Sequence, residues 1–189
     1  MQSSSPAFIS LRTASAEDWA NIAAGERKSL AEGNAGAGLL RLLELQRDDD
    51  RQGWPINLYD HCLQSASRAL RAGADDELVF LALFHDATEM LSPLDHGASA
   101  AALLGPYLSP NRIWLLRHHP VFQLQHMVHK PDADRQAFER YRGHPAFEET
   151  IRFCALFDEN AFDPGYESLP LDAFEGLVDR VCRAALVRS

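Results

Sequence analysis

The sequence predicts an all-α protein built as one domain, and three observations point there. Apolar residues recur at helical spacing in almost every segment, as in Leu39, Leu40, Leu42, Leu43 and Leu45, or Phe174, Leu177, Val178, Val181 and Leu186. Residues that start or stop helices (Ser15, Gly33, Asn57, Gly73, Ser109-Pro110) punctuate the chain at helix-length intervals. Almost nothing alternates with the period of two that a half-buried strand requires. The 189 residues suffice for a full hydrophobic core in one domain. The expected organisation is a helical extension over 1–50, a core over 57–160 and a C-terminal helix within 161–189.

In chain order, residues 1–12 read as a loose or strand-like start. Ser15 caps a helix over 16–31, whose first turn holds Glu17 and Asp18 where the helix dipole favours acids. Gly33-Asn34-Ala35-Gly36 breaks it, and a leucine-rich helix follows over 37–48. Asp48-Asp49-Asp50-Arg51 is a solvated charge run and Gly53-Trp54-Pro55 a turn. A helix over 57–72 carries His61. Another over 76–90 begins with a long apolar run and delivers the adjacent pair His85-Asp86. A loop containing His96 leads into an alanine-rich helix over 97–107. Ser109-Pro110 opens a helix ending in Arg117-His118-His119-Pro120, and residues 121–130 continue it with His126 and His129. Asp132 caps a helix to Tyr141, Pro145 opens one that carries Cys154 and Asp158, and the last helix spans 171–187.

Composition excludes several classes of function. Net charge is −9 and no Lys/Arg cluster could track a phosphate backbone, so nucleic acid is not an expected partner. No apolar run approaches the length of a membrane span, and the N-terminus lacks the pattern of a secretory signal. Three widely spaced cysteines suit reduced thiols, and the expected location is the cytoplasm.

The chemistry concentrates in His61, His85, Asp86, His96, His119 and Asp158. An imidazole beside a carboxylate at the end of an apolar helix is expensive to bury unless paired or bound to metal. Imidazole and carboxylate together are the donor set for iron, manganese or zinc. Two metals sharing Asp86 as a bridge would use all six residues: His61, His85 and Asp158 at one, His96 and His119 at the other. Glu89 lies three residues beyond Asp86, nearly one helical turn on, and can face the same cavity; an exposed helix carboxylate is the alternative.

This order of ligands resembles the HD-domain superfamily, specifically its dinuclear branch. The likeness extends from residue 59 to about 181. It includes Asp60-His61-Cys62-Leu63-Gln64-Ser65-Ala66, Gly143-His144-Pro145-Ala146-Phe147-Glu148, and the stretch from Phe153-Cys154-Ala155-Leu156-Phe157-Asp158 to Pro164. These segments are similar to HD-domain mixed-valent diiron oxygenases, a group that includes myo-inositol oxygenase and the enzyme cleaving 2-amino-1-hydroxyethylphosphonate.

The resemblance implies an HD-domain helical bundle holding two irons. It implies dioxygen and a small hydroxylated molecule as substrates, and cleavage of a C–C or C–P bond. The Arg-x-His spacing of those oxygenases selects His119 over His118 as ligand. His118 is then a neighbour of the ligands or a substrate contact, and Gln123 is expected to touch substrate. With six positions filled, His126 and His129 are not expected to ligate; His144 either lines the pocket or caps a helix.

Two departures argue against phosphonate itself. Gln123 and Ala155 stand where the phosphonate enzyme has a Lys and an Arg, and its lid Tyr and Glu find no counterpart around Arg51 to Trp54. His85-Asp86-Ala87-Thr88-Glu89 also resembles nucleotidase-type HD proteins, which makes a phosphohydrolase using manganese or zinc the rival. There Glu89 would steer water, and Arg117 and Arg152 would reach the phosphate.

Overall fold

A computed structural model describes residues 8–48 and 53–188. Among them every regular element is helical: α1 (Ala16–Ala31), α2 (Asn34–Glu44), α3 (Leu58–Arg71), α4 (Asp76–Phe84), α5 (His96–Leu104), α6 (Pro110–Gln123), α7 (Phe147–Phe153) and α8 (Asp172–Arg188). The expectations for residues 1–7 and for the charge run and lid position at 49–52 lie outside the described residues, as does the side chain of Leu186.

Helix α4 is the axis of the bundle. Val79 to Phe84 are all buried, and a helix apolar on every side is stable only when surrounded. Helices α3, α6 and α8 enclose it, α1 and α2 pack with α8 on one flank, and α5, α6 and α7 form the other. Asp75 caps α4, accepting from the Leu78 N–H at 2.8 Å, and Asn57 caps α3 in the same way through the Asp60 N–H at 2.7 Å.

Several boundaries differ from the sequence reading. Only Gly33 breaks the chain between α1 and α2: its φ of 74° is left-handed, whereas Gly36 lies inside α2. Helix α2 ends at Glu44 rather than 48. Helix α4 stops at Phe84 because His85 Nδ1 binds the Ala82 carbonyl at 2.9 Å, the acceptor that a continuing α-helix would give to Asp86. Tighter turns follow, with Glu89 N–H donating to the Asp86 carbonyl at 2.9 Å. His96 begins α5 rather than preceding it, and α5 passes into a 3-10 turn, Gly105–Tyr107. The helix expected from Asp132 is only a 3-10 turn, Ala137–Tyr141, and α7 starts at Phe147, later than Pro145 implied. After α7 the chain widens into a π-turn, Cys154–Asp158.

Helix α6 runs through Pro120 to Gln123. Proline has no N–H for the Leu116 carbonyl, and His119 Nδ1 takes that carbonyl at 2.7 Å. Helix α5 meets α6 at this point. A Cβ on Gly97 would stand 2.7 Å from the Arg117 carbonyl oxygen, 3.1 Å from that of Leu116 and 3.0 Å from Pro120 Cγ. Gly97→Ala is therefore expected to push α5 outward, separating His96 from His119. Metal titration should show the site they share weakened by at least about tenfold while the other is retained, since misplaced ligands forfeit affinity steeply.

Candidate metal centre

Six buried or half-buried side chains from four elements and one loop converge at the lower end of α4. His61 comes from α3, His85 and Asp86 from the turns after α4, His96 from the first residue of α5, His119 from α6 and Asp158 from the π-turn. The π-turn sets the last of these. Its Glu159 N–H bonds back five residues to the Cys154 carbonyl at 2.9 Å, and Phe157 and Asp158 both turn inward. Such insertions recur at functional sites because they re-aim a side chain without breaking a helix.

The central carboxylate faces both ways. Asp86 Oδ1 is 3.4 Å from His96 Nε2 and 3.3 Å from His119 Nε2, while Oδ2 is 3.5 Å from His61 Nε2 and 3.4 Å from His85 Nε2. Asp158 Oδ1 lies 3.4 Å from both His61 and His85 Nε2. Two donors each about 2.1 Å from one metal stand about 3.0–3.4 Å apart at ordinary coordination angles, so these separations match edges of coordination polyhedra. The groupings His61/His85/Asp86, His85/His119/Asp158 and Asp86/His96/His119 could each hold an ion.

Tautomers strengthen the fit. His61 Nδ1 is 3.0 Å from the Ala161 carbonyl, and His85 and His119 meet the carbonyls of Ala82 and Leu116. A carbonyl only accepts, so each Nδ1 carries the hydrogen and each neutral ring turns an Nε2 lone pair inward. His61 and His85 Nε2 are then 3.0 Å apart, lone pair to lone pair, and Asp158 Oδ1 is buried with no hydrogen-bond donor. Only cations, protons or metal ions, relieve this arrangement.

In the metal-free protein, protons fill that role. Burial opposes charge on His61, but hydrogen bonds and Coulomb attraction from Asp158 and Asp86 outweigh it and lift its pKa to about 10. His85 is raised against burial by the same carboxylates, and the imidazoles hold both carboxyls below their usual range against the pull of burial. His96 moves the other way, lowered chiefly by burial.

The linkage has a definite sign. Stabilisation from His61 is complete below its unfolded pKa of about 6.5 and is lost as pH climbs through 10. Stabilisation from the carboxylates is present above about 4 and disappears in stronger acid. Chelator-treated protein should thus melt highest between about pH 4 and 6.5. It should lose stability of the order of a few kcal/mol by pH 10 in thermal scans. A flat melting profile from pH 6 to 10 would contradict it.

A cavity of about 440 Å³ opens onto the cluster, reaching His61, Asp86 and His96. Trp54 and Phe162 line one wall, stacked on each other and, through Phe162, on the His61 ring. Glu89, Arg117, Gln123 and Lys130 also line it. Sequence reasoning missed Lys130, Trp54 and Phe162, which sit in loops with no pattern to single them out.

Other expectations fare differently. His118 is neither in the cluster nor on the cavity. Its Nδ1 bonds the Trp114 carbonyl at 2.8 Å, and its ring stacks on Trp114 at 4.3 Å with Tyr141 edge-on. One helical position away from His119 turns the side chain by roughly 100°, out of the centre. Gln123 lines the cavity but also donates to Asp158 Oδ2 at 2.6 Å. His126 pairs with Glu159, and His129 is exposed beyond the helix. His144 is off the cavity: it stacks on Trp114 at 3.9 Å and accepts the Ala146 N–H, whereas the N-cap of α7 is Ala146 with no side-chain cap, so His144 neither lines the pocket nor caps the helix. Arg152 is exposed and off the cavity.

Fold and site together define an all-α protein with a buried His/Asp cluster that could bind metal. No family model and no curated protein matches the chain. Its three cysteines are free and buried, and among the described residues no helix is long and apolar enough to cross a membrane.

Proposed function

We propose that this protein is a dinuclear HD-domain metalloenzyme, a non-haem diiron oxygenase acting on a small hydroxylated substrate with cleavage of a C–C or C–P bond. The observation that carries it is Asp86, whose two oxygens face two separate imidazole pairs, His61/His85 and His96/His119. That division is what a carboxylate bridging two metals requires, and the order of residues resembles the dinuclear HD oxygenases. Held there, two irons would supply Lewis acidity toward a substrate hydroxyl and the electrons that reaction with dioxygen needs.

The remaining work falls to the chain. Backbone carbonyls hold three imidazoles by their Nδ1–H, so each would offer Nε2 to a ligand that displaces the proton there. Trp54, Phe162, Leu58, Val121 and Leu124 give the cavity an apolar wall that excludes water from a bound substrate. Glu89 lines the same cavity and is placed to take a proton from a substrate hydroxyl.

The second reading is a phosphohydrolase, favoured by Glu89 as water-steering carboxylate and by Arg117 and Lys130 on the cavity. Metal analysis and spin resonance decide between them. Two irons per chain and a mixed-valent signal after partial reduction are expected. Zinc or manganese, with hydrolysis of phosphate esters, would replace the first reading by the second.

A further inference from the structure

The amide of Gln123 touches a candidate ligand, although its place in the sequence marked it for substrate. We infer that Gln123 is a positioning residue, which holds Asp158 to one-oxygen coordination and so keeps a coordination position open on the metal shared with His61 and His85. The inference rests on the dinuclear reading above.

The geometry is specific. Asp158 is completely buried, so water has no access to either oxygen. Its Oδ2 accepts from Gln123 Nε2 at 2.6 Å. With both rings neutral its Oδ1 has no hydrogen-bond donor, and it faces His61 and His85 Nε2, each at 3.4 Å. The two oxygens are therefore differentiated before any metal binds: one is occupied by an amide, the other is aimed at the imidazoles. A carboxylate not held in this way can turn to give both oxygens to one metal, filling two positions.

The contact also dictates the amide's orientation. A ligating carboxylate only accepts, so the nitrogen end of Gln123 must face Asp158. What remains for the cavity that Gln123 lines is Oε1, an acceptor. A substrate carrying a hydroxyl or amine donor fits that end, and an anionic group does not. Helix α6 thereby carries His119 to one half of the centre and, one turn later, the group that sets a ligand of the other half.

Cobalt(II) titration of chelator-stripped protein tests this without turnover. The visible absorption of bound cobalt weakens as its coordination number rises. Gln123→Leu should lower the band intensity and reduce cobalt affinity about 10–100-fold at one of two sites. Gln123→Lys keeps a donor for Asp158 Oδ2 and should restore both the band and the affinity while offering the cavity no acceptor. A Gln123→Leu protein with the wild-type spectrum would overturn the inference and leave the dinuclear reading standing. Wild-type protein that takes up no cobalt would overturn both.

Discussion

Asp86→Ala is expected to empty both halves of the centre at once, taking metal content from two per chain toward none. Its two oxygens face the two imidazole pairs, with Oδ1 at 3.3–3.4 Å from His119 and His96 and Oδ2 at 3.4–3.5 Å from His85 and His61. On the dinuclear reading, its loss would remove a donor from each metal and the negative charge that would make the pair tolerable in a buried site. Without metal the substitution also hurts, because the raised pKa values of His61 and His85 depend on that carboxylate. Breaking a buried ion pair from one side typically costs about 3–5 kcal/mol. Asp86→Asn separates the two effects. It keeps the volume but offers one acceptor in place of two, and should keep at most one metal. Two metals retained by folded Asp86→Ala, measured by elemental analysis, would end the bridging assignment.

The second large effect distinguishes neighbours. His119→Ala should lose the metal held with His96, since His119 is completely buried and its Nε2 stands 3.3 Å from both Asp86 Oδ1 and His96 Nε2. His118→Ala should keep both metals. Its ring contributes to the stack with Trp114 and Tyr141, so the expected change is a stability loss of about 1 kcal/mol. Metal counts and melting temperatures on the two variants give opposite patterns. Metal loss in His118→Ala instead would put the wrong face of α6 toward the centre.

Much of the fold and of the candidate site is legible in the sequence. The all-α class follows from periodicity and caps, because helical spacing, Asn57, Asp75 and Ser109-Pro110 act over a few residues and need no distant partner. The apolar run before His85-Asp86 already implied a surrounded helix ending in buried polar groups. The six candidate ligands were recognisable as a set, since imidazoles and carboxylates on several predicted helices are a metal's donor set. Their order and the Arg-x-His spacing came from resemblance, and the structure brings the same six together.

What tertiary structure alone decided is where side chains point once the helices pack. Local sequence makes 110–123 helical but does not say which face turns inward, and one residue of rotation separates the candidate ligand His119 from the stacked His118. The helix passes through Pro120 because His119 takes the orphaned carbonyl and α5 closes over the site at Gly97, but it ends at Gln123 with a 3-10 turn to His126, short of the continuation to 130 that the sequence suggests. The π-turn that aims Asp158, and the amide of Gln123 that holds it, involve residues 35 positions apart in the chain. Periodicity and capping are properties of neighbours along the backbone. Rotational phase, helix breaks and ligand orientation are instead settled by burial against elements far away in sequence, where apolar faces have to be covered and buried polar groups paired at the same time.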